Sequence, residues 1–306
     1  MFNGLLFFPL TPYTRDGEVD LREFAAHVER GVGAGAGGVF AACGTGEFSA
    51  LEPGEYAEVV RTAVETVAGR VPVFAGAGGP VRTARRFTDS AAAAGADWVL
   101  LLPPYLTEAS GRGLEAYVRA ATREDLPAIV YHRANARFTE QSAVAVARLP
   151  QVIGFKDGAG DLDLMSRIVR AVRDALGAVP FYFFNGLPTA EVTQRAYRAI
   201  GVPLYSSAAF AFAPRIALAY YHALEDDDQA AIAELERVFY HPFARLRQLG
   251  PGYAVSLIKA GAELAGWPAG GVRPPLTDVL PEHREELARI LAAGLAALPE
   301  PARAGS

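Results

Sequence analysis

Cysteine and lysine are the scarce residues of this chain. Its one cysteine, Cys43, excludes a disulfide within the chain and fits a reducing compartment. Of 29 basic residues only two, Lys156 and Lys259, are lysines; the others are arginines. A genome favouring arginine codons accounts for the bias, so a lysine kept against it suggests that a deprotonatable amine matters there. Arginine stays charged and is no nucleophile, whereas a desolvated lysine can lose its proton.

Long apolar runs are missing as well. The stretch 91–106 is broken by Gly95, Asp97 and the Pro103-Pro104 pair and does not read as a bilayer span. The first residues, MFNGLLFFPLTPYTRDG, lack a basic segment and are interrupted by Pro9 and Pro12, so they read as a strand and not as a signal peptide. A net charge of -5 leaves no basic field for a nucleic-acid backbone or an acidic membrane surface. These absences predict a soluble, cytoplasmic protein.

What is present is globular composition, 51% apolar and 21% charged, in 306 residues, enough for one large domain. Eight short apolar runs recur at 5–10, 38–42, 71–75, 98–102, 128–131, 152–155, 181–184 and 203–206. Most are continuous rather than alternating, as parallel strands covered on both faces require. Between them the spacing predicts helices, for instance 21–32, 53–67 and 84–94, with start signals at Asp20, Glu52-Pro53 and Thr139-Glu140. The pattern predicts an α/β fold, a closed (β/α)8 TIM barrel over residues 1–215. Additional C-terminal helices at 215–224, 228–249, 252–265 and 281–298 read as an extension (216–298) that packs on the barrel and supplies oligomer surface. Residues 299–306 read as a flexible tail. The segment 33–38 matches G-x-G-x-x-G, but it precedes a strand instead of following one, which argues against a dinucleotide site.

Active sites of such barrels lie at the C-terminal strand ends. Those ends supply Thr11, Gly44-Thr45-Gly46-Glu47, Gly76, Gly78, Tyr105, Tyr131-His132-Arg133, Lys156-Asp157-Gly158, Asn185-Gly186 and Ser206-Ser207. Only His132 among the five histidines falls there, so a metal-dependent aldolase is disfavoured, and the G-x-S-x-G nucleophile elbow is absent. An amine leaving the apolar run before Lys156 would be desolvated and free to attack a carbonyl. The plainer alternative is a lysine that reaches solvent or pairs with Asp157. Tyr131 could move protons during imine formation, or simply be a core aromatic. The Gly44–Glu47 turn could offer N–H groups to a carboxylate, with the Thr45 hydroxyl beside them, or merely link a strand to a helix. Ser206, Ser207 and Asn185 could bind hydroxyls or form turns; Arg133, Asn135 and Arg137 could meet an acidic substrate or water.

GTGE after the second strand, LLPPYLTEAS after the fourth, VYHRANA at the fifth and GFKDG at the sixth together resemble the dihydrodipicolinate synthase / N-acetylneuraminate lyase superfamily. Within it the chain more closely resembles the 5-dehydro-4-deoxyglucarate dehydratases. The likeness continues through GYAVSLIKAG and VRPPLTD. It implies a cofactor-free, homotetrameric enzyme of sugar-acid breakdown. Lys156 would form the imine, Tyr131 would transfer protons, and Thr45 and Gly46 would hold the carboxylate beside the keto group. Gly44, Arg133, Asn185, Gly186 and Ser206 are the further candidate substrate contacts, with no metal or organic cofactor and a small sugar diacid as partner.

The synthases carry a second hydroxyl residue where this chain has Gly44, and a tyrosine pair where it has Tyr105-Leu106. Their hydroxyl relay is therefore incomplete here, which favours the decarboxylating dehydratases. His132 and Ala134 depart from the Asn and Asp of the dehydratase pattern. A 2-keto-3-deoxy sugar-acid aldolase using the same lysine remains an alternative, as does a sugar-acid sensor without catalysis.

Overall fold

Each barrel strand from the second to the eighth follows a helix, and each strand runs into a turn at the barrel mouth. The structure, a computed structural model, describes residues 4–104 and 108–299, so Tyr105-Leu106 and most of the expected tail lie outside it. The first half runs β1 (Leu6–Phe7), α1 (Leu21–Gly33), β2 (Gly38–Ala41), α2 (Pro53–Val67), β3 (Val73–Ala77), α3 (Val81–Ala93), β4 (Trp98–Leu101) and α4 (Gly111–Ala121). The second runs β5 (Ala128–His132), α5 (Glu140–Ala147), β6 (Val152–Asp157), α6 (Leu162–Leu176), β7 (Tyr182–Asn185), α7 (Glu191–Ala199) and β8 (Leu204–Ser207). All neighbours pair in parallel, and β1 pairs with β8, closing the barrel. Five helices follow: α8 (Pro214–Glu225), α9 (Gln229–Leu235), α10 (His241–Gln248), α11 (Tyr253–Leu264) and α12 (Pro281–Ala296).

The expected start signals cap real helices. Asp20 accepts from Glu23 N at 2.9 Å, Glu52 and Glu55 form a reciprocal capping box before Pro53, and Thr139 caps α5. Such caps contribute about 1 kcal/mol each. Two expectations need correction. The first strand is two residues long, because Pro9 and Pro12 have no N–H to extend the ladder. The single helix expected over 228–249 is three segments, with a wide turn at Glu236–Tyr240 where His241 N–H reaches Glu236 O. Pro242 has no N–H for an i−4 carbonyl, and the backbone widens to i−5 just before it.

Alternation along the strands sorts side chains between two environments. Leu6, Phe8, Phe40, Phe74, Leu100, Ile129, Tyr131 and Phe184 fill the barrel interior as one buried cluster. Phe8, Phe40 and Phe74 stack there with ring centroids 4.4 and 4.0 Å apart. Phe7, Val39, Val130, Phe155 and Phe183, one residue out of phase, pack outward in the helical layer. α8 and α10–α12 join the same outer core as α1 and α2 through Ile216, Phe243, Leu257 and Leu287. Among the described residues, no helix is long and apolar enough to cross a membrane.

Candidate active site

Interior parity puts Lys156 and Tyr131 on the inside of β6 and β5, directly opposite each other in the strand register. Lys156 is 5% exposed, with Nζ 4.1 Å from the Phe8 ring centroid and 4.8 Å from that of Tyr131. It has no ion-pair partner among the described residues. Burial pushes its pKa down to about 7, and the nearby Arg133 charge acts in the same direction. Asp157, one residue on, faces outward. Its carboxylate accepts from Ala159 N at 2.9 Å and from the Tyr197 hydroxyl, so it does not pair with the lysine. The lysine therefore neither reaches solvent nor forms a salt bridge with its neighbour. Burial thus favours the free amine over the ammonium.

The Tyr131 hydroxyl donates to Gly186 O at 2.8 Å and accepts from Arg133 Nη1 at 3.0 Å. Burial raises its pKa while Arg133 opposes the rise. Two glycines make this arrangement possible. A Cβ on Gly186 would lie 2.5 Å from Lys156 Cε and 2.9 Å from Tyr131 Cε2; one on Gly158 would lie 2.9 Å from the Tyr131 hydroxyl. Neither position admits a side chain without moving the reactive pair.

The turn after β2 closes one side of the mouth. Thr11 Oγ1 donates to Gly46 O at 2.7 Å, and the Glu47 and Phe48 N–H groups are used within the turn. The N–H groups of Thr45 and Gly46 have no acceptor among the described residues. Glu47 ends the turn in a left-handed conformation, φ 54°, with its carboxylate buried against Lys259 at 2.8 Å and Arg273 N at 3.1 Å.

A cavity of about 200 Å³ lies over Lys156. The structure brings together in its wall Gly44, Thr45, Tyr131, Arg133, Lys156, Gly186 and Ser206. Gly46, in the same turn, is not in the wall; its carbonyl accepts from Thr11. Asn185 is not brought into the wall: Phe184 takes the inward place on β7, and the Asn185 amide is turned outward onto Ala190 O and Gln194 Oε1. His132 is likewise outward, between Phe138 and Phe155, with Nδ1 accepting from Phe138 N. Its departure from the family pattern thus falls away from the cavity. Ser207 faces Glu191, and Arg137 Nε donates to Ala134 O.

Sequence reasoning missed the far wall. Thr189, from the loop after β7, and Phe243, Arg247 and Ile258, from α10 and α11, face the same cavity. Arg247 was one arginine among many on a helix read as packing, and nothing local set it apart. Lys259 did carry a signal, being the second of two lysines, but its partner Glu47 is 212 residues away in sequence, and only the fold reveals the pair.

Comparison with known proteins bears on the family of the chain. Residues 1–294 match the model of the dihydrodipicolinate synthetase family. The chain is 54% identical over 293 residues to "Probable 5-dehydro-4-deoxyglucarate dehydratase 1" of Streptomyces coelicolor, covering 95% of this chain and 93% of that one. The crystal structure of dihydrodipicolinate synthase from Oceanobacillus iheyensis superposes with a TM-score of 0.87 at 27% identity, covering 96% and 97% of the two chains. A prophage protein of the same family from E. coli K12, solved in complex with pyruvate, gives 0.84 at 26% identity over 96% and 99%. With a closed barrel, a buried lysine on its sixth strand and near full-length matches of both kinds, this chain belongs to the dihydrodipicolinate synthetase family.

Proposed function

We propose that the chain is a decarboxylating dehydratase, converting 5-dehydro-4-deoxyglucarate to 2,5-dioxopentanoate, CO2 and water through an imine on Lys156. The observation that carries this reading is a buried, depressed-pKa amine in register with a tyrosine, at a cavity lined, among the described residues, by two arginines and no acid. A 2-oxo diacid suits that wall: a ketone for the amine and two carboxylates for the positive charge.

Lys156 Nζ attacks the ketone carbon, and the carbinolamine loses water to give the imine. The adjacent CH2 gives up a proton as the imine takes its electrons, and the next carbon then expels its hydroxyl as water. The resulting conjugated imine reaches the carbon bearing the distal carboxylate, whose bonding pair flows into the same sink as CO2 leaves. Protonation, tautomerisation and hydrolysis release the product and restore the amine. Tyr131, paired with Lys156 across the strands, is the proton carrier, and proton transfer of this kind contributes about 10²–10⁴ in rate. Thr45 and the N–H groups of the turn hold the carboxylate beside the ketone; Gly44 and Gly186 leave it room, and Ser206 and Arg133 meet the hydroxyl-bearing portion. Asn185 supports the β7 loop from behind. The chemistry needs no added electron sink, because the protonated imine is one. On the same reading the enzyme is a cytoplasmic homotetramer, to be tested by light scattering and cell fractionation.

The direct test supplies the deoxy-keto-diacid and follows CO2 and semialdehyde, with borohydride reduction of a parallel sample. A mass adduct on Lys156 and one CO2 per turnover are expected. Pyruvate and an aldehyde as products would instead make the chain an aldolase, and turnover without any adduct would sink the covalent step.

A further inference from the structure

Two guanidinium groups, those of Arg133 and Arg247, face the cavity over Lys156, and neither has a carboxylate partner among the described residues. Their uses differ. Arg133 Nη1 is committed to the Tyr131 hydroxyl at 3.0 Å. Arg247, from α10, donates Nη1 to the Thr189 hydroxyl, its only hydrogen bond among the described residues. Thr189 is buried and held at φ 52°, a backbone conformation a threonine seldom adopts, and its hydroxyl accepts from that guanidinium. The buried carboxyl of Glu191 acts on the Arg247 charge from outside the cavity lining, but it accepts from the Ser207 hydroxyl at 2.5 Å and is not within ion-pair distance of the guanidinium. A half-buried guanidinium held on a strained neighbour, sharing with a second guanidinium a cavity whose described lining has no acid, is a site built for an anion.

We propose that Arg247, oriented by Thr189, binds the carboxylate distal to the ketone and makes the cavity selective for 2-oxo diacids over 2-oxo monoacids. This rests on the imine reading above, which places the ketone at Lys156 and the near carboxylate at the Thr45 turn. The far wall, where α10 and α11 cross the mouth, is then where a six-carbon chain ends. The extension helices thereby complete the substrate site. The distal carboxylate is also the group lost as CO2, and its charge drains toward the imine in that step. A cation on it stabilises the bound ground state at least as well as the transition state. Arg247 therefore contributes to binding and selectivity, and its removal raises KM much more than it lowers kcat.

The test uses the full chain and its Arg247→Met and Arg247→Lys variants with three probes that form an imine but cannot dehydrate. These are 2-oxoadipate, 2-oxohexanoate (a methyl in place of the distal carboxylate) and pyruvate. Lys156 adducts are trapped with borohydride over a concentration series and counted by intact mass. The unmodified enzyme half-saturates with 2-oxoadipate at a concentration about 100-fold below that for 2-oxohexanoate, the size expected of a charge-assisted pair. Arg247→Met brings the two within about threefold, and Arg247→Lys, which keeps charge but loses the fork, retains about tenfold. Pyruvate trapping reports that each variant is folded. If Arg247→Met does not fold, the ratio in Arg247→Lys decides: a drop supports the proposal and an unchanged ratio overturns it. A diacid preference that survives Arg247→Met, or one absent from the unmodified enzyme, also overturns it. If no probe is trapped in the unmodified enzyme, the imine reading fails. Thermal shifts then decide for Arg247: greater stabilisation by 2-oxoadipate than by 2-oxohexanoate, lost in Arg247→Met, supports it, and equal shifts overturn it.

Discussion

Lys259 Nζ lies 2.8 Å from Glu47 Oε1 with both side chains shielded from solvent, joining α11 to the turn that carries Thr45. The ammonium also donates to Gly271 O at 2.7 Å and sits 3.9 Å from the Tyr13 ring centroid. Arg273 lies over the same ring and pairs with Glu55. The candidate carboxylate-binding turn is thus clamped from below by the C-terminal segment. A compact ammonium fits between a carboxylate, a carbonyl and a ring face where a planar guanidinium would not, so lysine is kept here in a chain that otherwise uses arginine.

Removing one partner of a buried pair leaves the other charge uncompensated, at a cost of about 3–5 kcal/mol. Lys259→Met should lose that much in urea unfolding, and adding Glu47→Gln should restore more than half of it. A loss under about 1 kcal/mol would mean that the pair is solvated and the clamp is not electrostatic.

Lys156 itself should cost stability. Its pKa is about 7 when folded, whereas an unfolded lysine titrates near 10.4. Between those values the unfolded chain holds a proton the folded chain lacks, so the lysine's contribution improves as pH rises and is worst below about pH 7. Lys156→Met should therefore be more stable than the parent at neutral pH, by up to about 4 kcal/mol, and the gap should close near pH 10. A gap independent of pH would show that the amine titrates normally. The same shift predicts that the trapping rate falls as pH drops through about 7, where the amine becomes protonated.

Gly186→Ala separates fold from chemistry. The new methyl would meet Lys156 Cε at 2.5 Å and Cγ at 2.8 Å, and the flexible lysine is what can yield. Stability should change by less than about 2 kcal/mol while activity falls at least 100-fold, because a displacement of roughly 1 Å at the reacting atom costs that much. Retained activity would mean that the lysine does not react from the position seen here.

How much of this was legible in the sequence follows from which contacts are local. The eight strands announced themselves because each is a run of adjacent apolar residues, and their order fixed which ends share the mouth. Lys156, Tyr131 and the Thr45 turn were accessible for that reason. Asn185 was placed among the substrate contacts because it ends a strand. Whether a strand-end residue faces in or out depends on a parity that a one-residue error in strand limits reverses, and here Phe184 holds the inward place. Arg247 and Lys259 meet their partners Thr189 and Glu47 at sequence ranges no local pattern encodes. Ala134, at φ 50°, occupies a left-handed position where Asp or Asn would be more at ease, which gives the aspartate of the family pattern a backbone reason.

Tyr131→Phe asks whether the hydroxyl does more than fill space. The ring stays in the barrel interior, but Gly186 O loses its donor at 2.8 Å and Arg133 Nη1 its acceptor at 3.0 Å, so a modest loss of about 1–3 kcal/mol is expected from the carbonyl. If the phenol carries the proton, kcat should fall about 10²–10⁴-fold and adduct formation should slow without disappearing, since the amine remains. A purely structural hydroxyl would lower stability and leave kcat within about threefold. Arg133→Met sharpens the distinction. The guanidinium opposes the burial that raises the Tyr131 pKa, so its loss should drive that pKa further up. Any alkaline limb of kcat/KM that belongs to Tyr131 should then move to higher pH in Arg133→Met and vanish in Tyr131→Phe. A limb unmoved by both substitutions would assign the titration to another group and remove the phenol from the proton path.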